Sequence, residues 1–430
     1  MKLLKNMFSR KSSIWLALEL ILVTIACWWA LDPVLVTSYV TRMPLGYDAD
    51  RLVHMDVTNT MPLEKALQCG PVFRNEETQF IEKLKEMDVV EDAFLAYNNT
   101  IGSGSISIGG MLYSKLGEDS LYAYHYGFMP DSKMFEVMGI QSITPGISTS
   151  ELAHDCEWDR SIIITRSIAM KLFGSTDVAG RTLIGSAYQY NAEESEFEWG
   201  KVEYKVRAVV EDVRYSIFDR ELTTAFICKA GPSYNIPIIV RLREGVDANW
   251  FVQAYRQQVE HDLVAEHCYV RNMYTYQEIT KREYNRTHGR EMRRNLLIAA
   301  FFALNLGFGV FGTLLMYTRQ RREEAGVKRA FGARRWSVFL GFLGEAWLLT
   351  TVSVVVGCII YFQFAVSSSL YDSFNRTNPV NRLWFDDFGS HFLVVSACVY
   401  LIVLGTVLVG TAIPAWRICR SKITNALKDE

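Results

Sequence analysis

Asn295–Tyr317 reads NLLIAAFFALNLGFGVFGTLLMY, a run without a single charged side chain. A helix of that length crosses the roughly 30 Å hydrocarbon core of a bilayer, which takes about 20 apolar residues. Three further stretches read the same way: Ile14–Leu31 with one charge at Glu19, Val338–Phe364 with only Glu345, and the uncharged Phe392–Ile413. Trp28, Trp29, Trp336 and Trp416 fall at or near the ends of these runs, where an interfacial aromatic belt would hold them. The sequence therefore predicts an integral membrane protein with four transmembrane α-helices. One large α+β domain of two subdomains is expected between the first helix and the second.

The remaining composition agrees with that division. Of 430 residues 50% are hydrophobic and 21% charged, and the mean hydropathy of +0.07 averages membrane and soluble stretches. The 45 basic residues nearly cancel the 47 acidic ones, which argues against a nucleic-acid partner.

Basic residues in the short flanks set the orientation. The tail 1–13 carries Lys2, Lys5, Arg10 and Lys11, and the tail 414–430 carries Arg417, Arg420, Lys422 and Lys428. The loop 318–337 carries Arg319, Arg321, Arg322, Lys328, Arg329, Arg334 and Arg335. The loop 365–391 holds only Arg376 and Arg382, beside Asp372, Asp386 and Asp387. Both termini and the 318–337 loop are thus expected in the cytoplasm, with 32–294 and 365–391 outside. Arg290, Arg293 and Arg294 break the pattern, but long translocated domains follow charge rules poorly. The first run continues past Cys27 through Trp28 to Leu31 with no A-x-A site, so it reads as an anchor and not a cleaved signal peptide.

The expected boundaries are a cytoplasmic tail 1–13, helix 14–31, an extracytoplasmic domain 32–294, helix 295–317 and a cytoplasmic loop 318–337. Helix 338–364, outer loop 365–391, helix 392–413 and tail 414–430 follow. Within 32–294, Glu76–Met87 places Phe80, Ile81, Leu84 and Met87 on one helical face. Ser105–Tyr113, Leu121–Phe128, Ser161–Thr165, Lys201–Val213 and Pro237–Arg243 read as strands. Arg166–Phe173 turns helical and stops at Gly174, and Asp247 reads as the N-cap of a helix over Ala248–Leu263. Two rounds of strand and helix suggest two related subdomains.

Catalytic chemistry is scarce. No HExxH, no G-x-S-x-G and no close carboxylate cluster is present. His261, Glu266, His267 and Cys268 lie close together, yet without a second cluster they read as surface residues at a helix end rather than metal ligands. Gly102-Ser103-Gly104 followed by Gly109-Gly110 reads as a hairpin or loop. Gly200-Lys201 is followed by Val202, so no Walker site exists in these residues. Cys69, Cys156, Cys228 and Cys268 fall outside the membrane; they are either free and buried or joined as two disulfides with three possible pairings. Of the intramembrane carboxylates, Glu19 and Glu345 read as snorkelling toward nearby basic residues or as a proton relay or interhelical contact. Gly307, Gly309 and Gly312 permit close helix packing, within the chain or between copies.

The segment Thr318–Thr350, TRQRREEAGVKRAFGARRWSVFLGFLGEAWLLT, predicts a short helix over Glu323–Phe331 closed by Gly332. Alone it is too short to be stable in water, so packing must order it. A basic loop resting on anionic headgroups is the plain alternative. Here the chain resembles the MacB/FtsX-type permease subunits of ABC transporters, the mechanotransmission class. Their loop, close to R-x-x-E-I-G-I-R-[KR]-A-[LI]-G-A, resembles Arg321–Ala333 (RREEAGVKRAFGA), and their following [IL]-E-A-[LIV]-x-L resembles Leu343-Gly344-Glu345-Ala346-Trp347-Leu348-Leu349. Pro414-Ala415-Trp416-Arg417 and Ala426-Leu427-Lys428-Asp429-Glu430 match the family C-terminus, although Ile423 or Thr424 stands where the family has a proline. Ser161–Gly174, Gly180–Leu183 and Tyr204–Asp212 are similar to strands and turns of the MacB periplasmic core.

That resemblance implies a permease subunit without catalytic activity of its own, driven by ABC ATPase subunits in the cytoplasm that bind ATP and Mg. It implies a bacterial inner-membrane, multi-pass location with the large domain periplasmic, pairing with a second copy or a similar permease, and a periplasmic adaptor as a further partner. The coupling helix would comprise Glu323, Glu324, Ala325, Gly326, Val327, Lys328, Arg329, Ala330, Phe331, Gly332 and Ala333. Ala325 and Phe331 replace the family's usual Ile and Leu, which implies a docking surface fitted to one ATPase. Export of a peptide, antibiotic or lipoprotein is the implied outcome. A membrane-anchored sensor or scaffold is the alternative, and a membrane-anchored enzyme is a third class that the missing catalytic groups disfavour.

Overall fold

The structure, a computed structural model, describes residues 11–60, 70–96, 101–102, 109–114, 120–191, 196–215, 222–229, 236–287, separate positions between 293 and 312, 322–368 and 388–420. It divides into two units, one of residues 1–41 with 289–430 and one of residues 42–288. The first helix, α1 (Lys11–Val40), is longer than the expected 14–31, because the chain stays helical through Asp32-Pro33. Proline lacks the N–H that would donate to the carbonyl four residues back, so this turn is weakened but not ended.

In the 42–288 unit the chain runs through β1 (Leu52–Asn59), α2 (Gly70–Lys85), β2 (Val90–Leu95), β3 (Gly109–Tyr113), β4 (Ser120–Phe128) and α3 (Met134–Met138). It continues as β5 (Ser161–Thr165), α4 (Arg166–Phe173), β6 (Thr182–Asn191), β7 (Glu196–Val210) and β8 (Thr224–Cys228). Last come β9 (Ile238–Leu242), α5 (Ala248–Asp262), β10 (Cys268–Thr275) and α6 (Tyr276–Thr287). Asp247 caps α5 as its sequence suggests, its carboxylate accepting from the backbone N–H groups of Asn249 at 2.6 Å and Trp250 at 3.1 Å.

Two different sheets result. One is four-stranded, in the order β10-β1-β9-β2, with every pair antiparallel. Its one face packs Val53, Met55 and Val240 against Phe80 and Leu84 of α2 and Phe251 and Val259 of α5. The other is a closed barrel in the order β3-β4-β8-β5-β7-β6, with β4–β8 and β5–β7 parallel. The two subdomains are therefore not copies of one plan; alternation of strands and helices says nothing about which strands pair. A shared core joins them, with Leu52, Phe94 and Ile239 of the sheet against Phe128, Ile163 and Phe226 of the barrel and Phe135 of α3. Strand β5 feeds both barrel-side cores, Ile163 into this one and Ile162 and Ile164 into the other, so all five of its residues are buried.

The other unit continues with α7 (Arg322–Ala330), α8 (Arg335–Ser367) and α9 (Phe388–Arg420). Among the described residues, three helices are long and apolar enough to span a membrane: Ser13–Val40 within α1, then α8 and α9. The described positions between 293 and 312 are helical, but most of the expected span 295–317 lies outside the described residues. Helices α1, α8 and α9 share a core of Leu16, Leu20 and Trp28 with Ala346, Leu349, Val354 and Tyr361 and with Val395, Val399, Val403 and Val407. Thr24 lies so near Gly357 that a Cβ there would meet Thr24 Cβ at 2.8 Å and Cγ2 at 2.9 Å, so α1 and α8 approach through the missing side chain.

Along α9 the buried positions recur every fourth residue: His391, Val395, Val399, Val403, Val407, Thr411, Ala415 and Cys419. Four residues turn a helix by about 400°, so such a seam drifts about 40° around the axis at each step. It can thus face one neighbour at its start and another at its end.

Candidate functional site

At the Cys419 end of that seam sits the short helix the sequence singles out. Helix α7 closes in a Schellman motif: Gly332, at φ 91°, donates to Arg329 O at 3.1 Å, and Ala333 N donates to Lys328 O at 3.0 Å. Only glycine holds that left-handed backbone without strain. Lys328 and Arg329 occupy the last turn, where positive charge complements the exposed carbonyls.

Packing orders this helix as its length requires. Ala325, only 2% exposed, is buried with Val338 and Phe342 of α8 and with Ala415 and Cys419 of α9, with Ala333 and Ile418 alongside. Ala325 therefore does not lie on the docking surface, as its departure from the family pattern implied, but inside the seat. Its small side chain suits a seat built on Ala415 and Cys419. The outward face holds Val327, 44% exposed, and Phe331, 89% exposed, beside exposed Lys328 and Ala330. Glu323 and Glu324 form the first turn, and their side chains lie outside the described residues. Next to the seat, Trp336 and Phe339 pack on Trp416 with ring centroids 5.2 and 5.6 Å away, and Arg420 lies over the Trp416 ring. An apolar knob flanked by cations, held rigidly at the end of two membrane-type helices, is suited to bind a protein surface.

The opposite end of the seam holds a pair that sequence reasoning missed. His391 Nε2 lies 2.8 Å from Asp32 Oδ1, and the two side chains are 0% and 2% exposed. Trp28 stacks on Tyr361 and Phe392 at 4.5 and 5.2 Å, meets His391 edge-on, and donates from Nε1 to Ser396 Oγ at 3.1 Å. The carboxylate of Asp32 looks like the first polar residue beyond a span, and only the continuation of α1 brings it inside. A histidine at the head of the last apolar run was the one available signal. Of the expected intramembrane carboxylates, Glu19 and Glu345 are half-buried, and Glu19 reaches the backbone of Gly309.

In the 42–288 unit, Cys156, Cys228 and Cys268 are free thiols, and Cys69 lies outside the described residues. Cys228 Sγ lies 3.7 Å from Cys156 O, whereas Cys268 donates to Glu76 at 3.4 Å. His267 also bonds Glu76, at 2.9 Å, and His261 bonds Asp262. Among the described residues no group of three His, Cys, Asp or Glu side chains is placed to hold a metal. The hairpin region 103–108 lies outside the described residues.

Residues 296–423 match the family described as FtsX-like permease C-terminal. Over 63 residues the chain is 38% identical to the macrolide export ATP-binding/permease protein MacB of Marinobacter nauticus, covering 15% of this chain and 10% of that one. A stretch of 139 residues is 28% identical to the protein of the same name from Nitrobacter winogradskyi, covering 31% of this chain and 19% of that one. The pyoverdine export ATP-binding/permease protein PvdT of Pseudomonas entomophila is 38% identical over 69 residues, 15% of this chain and 11% of that one. The matches thus span about a tenth to a fifth of these relatives' lengths. Taken with the apolar helices among the described residues and the elbow at 322–333 seated on α8 and α9, they make the chain similar to ABC transporter permeases of the MacB/FtsX type.

Proposed function

We propose that this permease couples ATP hydrolysis in a cytoplasmic ATPase to movement of its extracytoplasmic domain, driving export or extrusion of a substrate such as a peptide, antibiotic or lipoprotein. The observation that carries this reading is the elbow itself: Phe331 and Val327 stand exposed beside Lys328 while Ala325 fixes the same helix to α8 and α9. A surface of that kind exchanges force only if the helix behind it is rigid, and the Schellman closure and the seat supply the rigidity.

The ATP and Mg would be held by the ATPase, since these 430 residues contain no G-x-x-x-x-G-K-[ST]. A separate ATPase polypeptide, a second permease copy or close relative, and a periplasmic adaptor are the partners this reading requires. The basic flanks support an inner-membrane orientation with both termini and the elbow in the cytoplasm and residues 32–294 in the periplasm. The relatives named for macrolide export and pyoverdine export support the export direction of this reading.

The test is capture of the full chain from detergent-solubilised membranes, with wild type compared with a Lys328→Glu/Arg329→Glu variant. A P-loop ATPase should accompany the wild type and be lost from the variant, with ATP hydrolysis by the complex falling alongside. If no ATPase is captured, or if it stays bound after charge reversal, the elbow is not the coupling surface. Capture of a cytoplasmic signalling protein in its place would favour the sensor or scaffold reading.

A further inference from the structure

Cys156 and Cys228 sit together at one end of the barrel. Cys228 closes β8 and is fully buried. Cys156 lies in the loop that precedes β5, half-buried, its Sγ within 3.4 Å of Leu152 O and 3.5 Å of His154 O. Two contacts clamp this loop to the strand end: Cys228 Sγ donates to Cys156 O at 3.7 Å, and Asp159 N donates to Cys228 O at 2.9 Å. The loop is held in an uncommon shape, with Asp155 and Asp159 on either side of Cys156 at φ 52° and 55°. Arg207 of β7 reaches the same loop, its Nε donating to His154 O at 3.3 Å.

The two thiols are not equivalent. The neighbouring Cys228 thiol and the Arg207 guanidinium hold Cys156 below the ordinary cysteine range. Cys228 is pushed the other way by the Cys156 thiol and by burial. A half-buried thiol whose ionisation is eased, backed by a buried thiol that reaches the first residue's backbone carbonyl, is the arrangement that thiol–disulfide exchange uses.

We propose that Cys156 and Cys228 are a redox-active pair, with Cys156 the entry thiol and Cys228 the resolving thiol, closed by exchange with an external disulfide. In the first step the Cys156 thiolate attacks one sulfur of that disulfide; its S–S bond breaks, a mixed disulfide forms on Cys156, and one thiolate leaves. In the second, Cys228 loses its proton and attacks Cys156 Sγ, forming the internal disulfide and expelling the second thiolate. Both leaving thiolates take up the protons released, so two protein thiols are oxidised while one external disulfide is reduced to two thiols. In an oxidising compartment the donor belongs to the dithiol–disulfide oxidoreductase class. The closed pair would tie the Cys156 loop to the end of β8.

The chemistry does not depend on ATPase coupling, so its failure and that of the transport reading are separable. Full-length protein in detergent is incubated with oxidised glutathione, free thiols are alkylated, and cysteine peptides are read by mass spectrometry. Wild type should yield a Cys156–Cys228 linked peptide lighter by two hydrogens. Cys228→Ser should accumulate glutathione on Cys156, and Cys156→Ser should leave Cys228 unmodified. Without oxidant, Cys156 should alkylate at least about tenfold faster than Cys228, following thiolate fraction and access. Cys268, buried against Glu76, is the folding control and should stay unlabelled in each sample. Two separately glutathionylated or unreacted cysteines in wild type, or no adduct on Cys156 in Cys228→Ser, would overturn the pair.

Discussion

At the His391 end of α9 the buried contacts are aromatic and polar, while at the Cys419 end they are small. Trp28, Tyr361 and Phe392 wrap the Asp32–His391 pair. The elbow's seat, by contrast, rests on Ala325, Ala415 and Cys419, with Val338 and Phe342 as its bulkier members. A buried histidine–carboxylate contact with stacked rings is tied to one geometry, because displacing either polar partner leaves the other in an apolar setting. Contacts among alanine-sized side chains let the helices approach closely, so this seat holds by shape rather than by polar partners. One end of the helix is pinned by polar and ring contacts and the other by close packing, and the seam of every fourth residue joins them.

The pinned end should give the largest effect. His391→Ala removes a close polar contact of the buried Asp32 and should destabilise the protein by about 3 kcal/mol. Replacing both residues by leucine should restore most of that loss, since neither polar group is then left buried with a lost contact. Resistance of the full chain to denaturing detergent measures both, and additive losses in the double variant would show that the two ends do not differ in this way.

At the seated end, Phe331→Ala should leave the unfolding midpoint unchanged, because that ring is exposed. It should weaken capture of the ATPase by at least about tenfold, the effect of losing one interface anchor of roughly 2 kcal/mol. Ala325→Leu should do the opposite in part, unseating the helix and lowering stability before binding is even considered. A stability loss from Phe331→Ala would instead mean that the ring is part of the seat.

Midway between the ends, Gly357→Val should force α1 and α8 apart against Thr24 and cost about 1–3 kcal/mol. Gly341→Ala in the same helix meets no atom within 4 Å and serves as the silent comparison. Equal losses in the two variants would deny that close approach at Gly357 matters.

His54 on β1 is held neutral by burial, its pKa lowered to about 4 against a partial opposing effect of Asp56. The unfolded chain binds that proton near pH 6.5, so stability is full above this value and falls as pH drops toward 4. Between pH 7 and 6 the loss should be under about 1 kcal/mol, read as faster hydrogen exchange in β1, and His54→Gln should flatten it.

Much of this architecture could be read locally. The apolar runs behind α1, α8 and α9, the all-buried β5, the Gly174 stop and the Asp247 cap each depend on residues near one another in sequence. So does the helix at 322–330 with its glycine closure. What could not be read depends on distant partners. The parallel pairing of β4 with β8 closes the barrel but leaves no local mark, and the two subdomains accordingly look alike as a string of elements. Asp32 and His391 each resemble the polar edge of a span until the other is known. The inward face of α7 was ambiguous for a related reason: Ala325 reads as weakly apolar surface until Ala415 is set against it.

A barrel without ends to its hydrogen-bond ladder cannot be extended by another chain, whereas an open sheet can. Among the described strands only β10 and β2 stand at a margin. The β2 margin is guarded: Asp92 is held by Lys85 at 2.5 Å and Lys133 at 2.8 Å, and Glu91 is held by Arg51. The β10 margin is guarded as well: Ala265 N donates to Cys268 O at 2.8 Å, Val270 N donates to Leu263 O at 3.0 Å, and Arg256 Nη2 donates to Met273 O at 3.1 Å, so both margins of this sheet are defended against a lent strand.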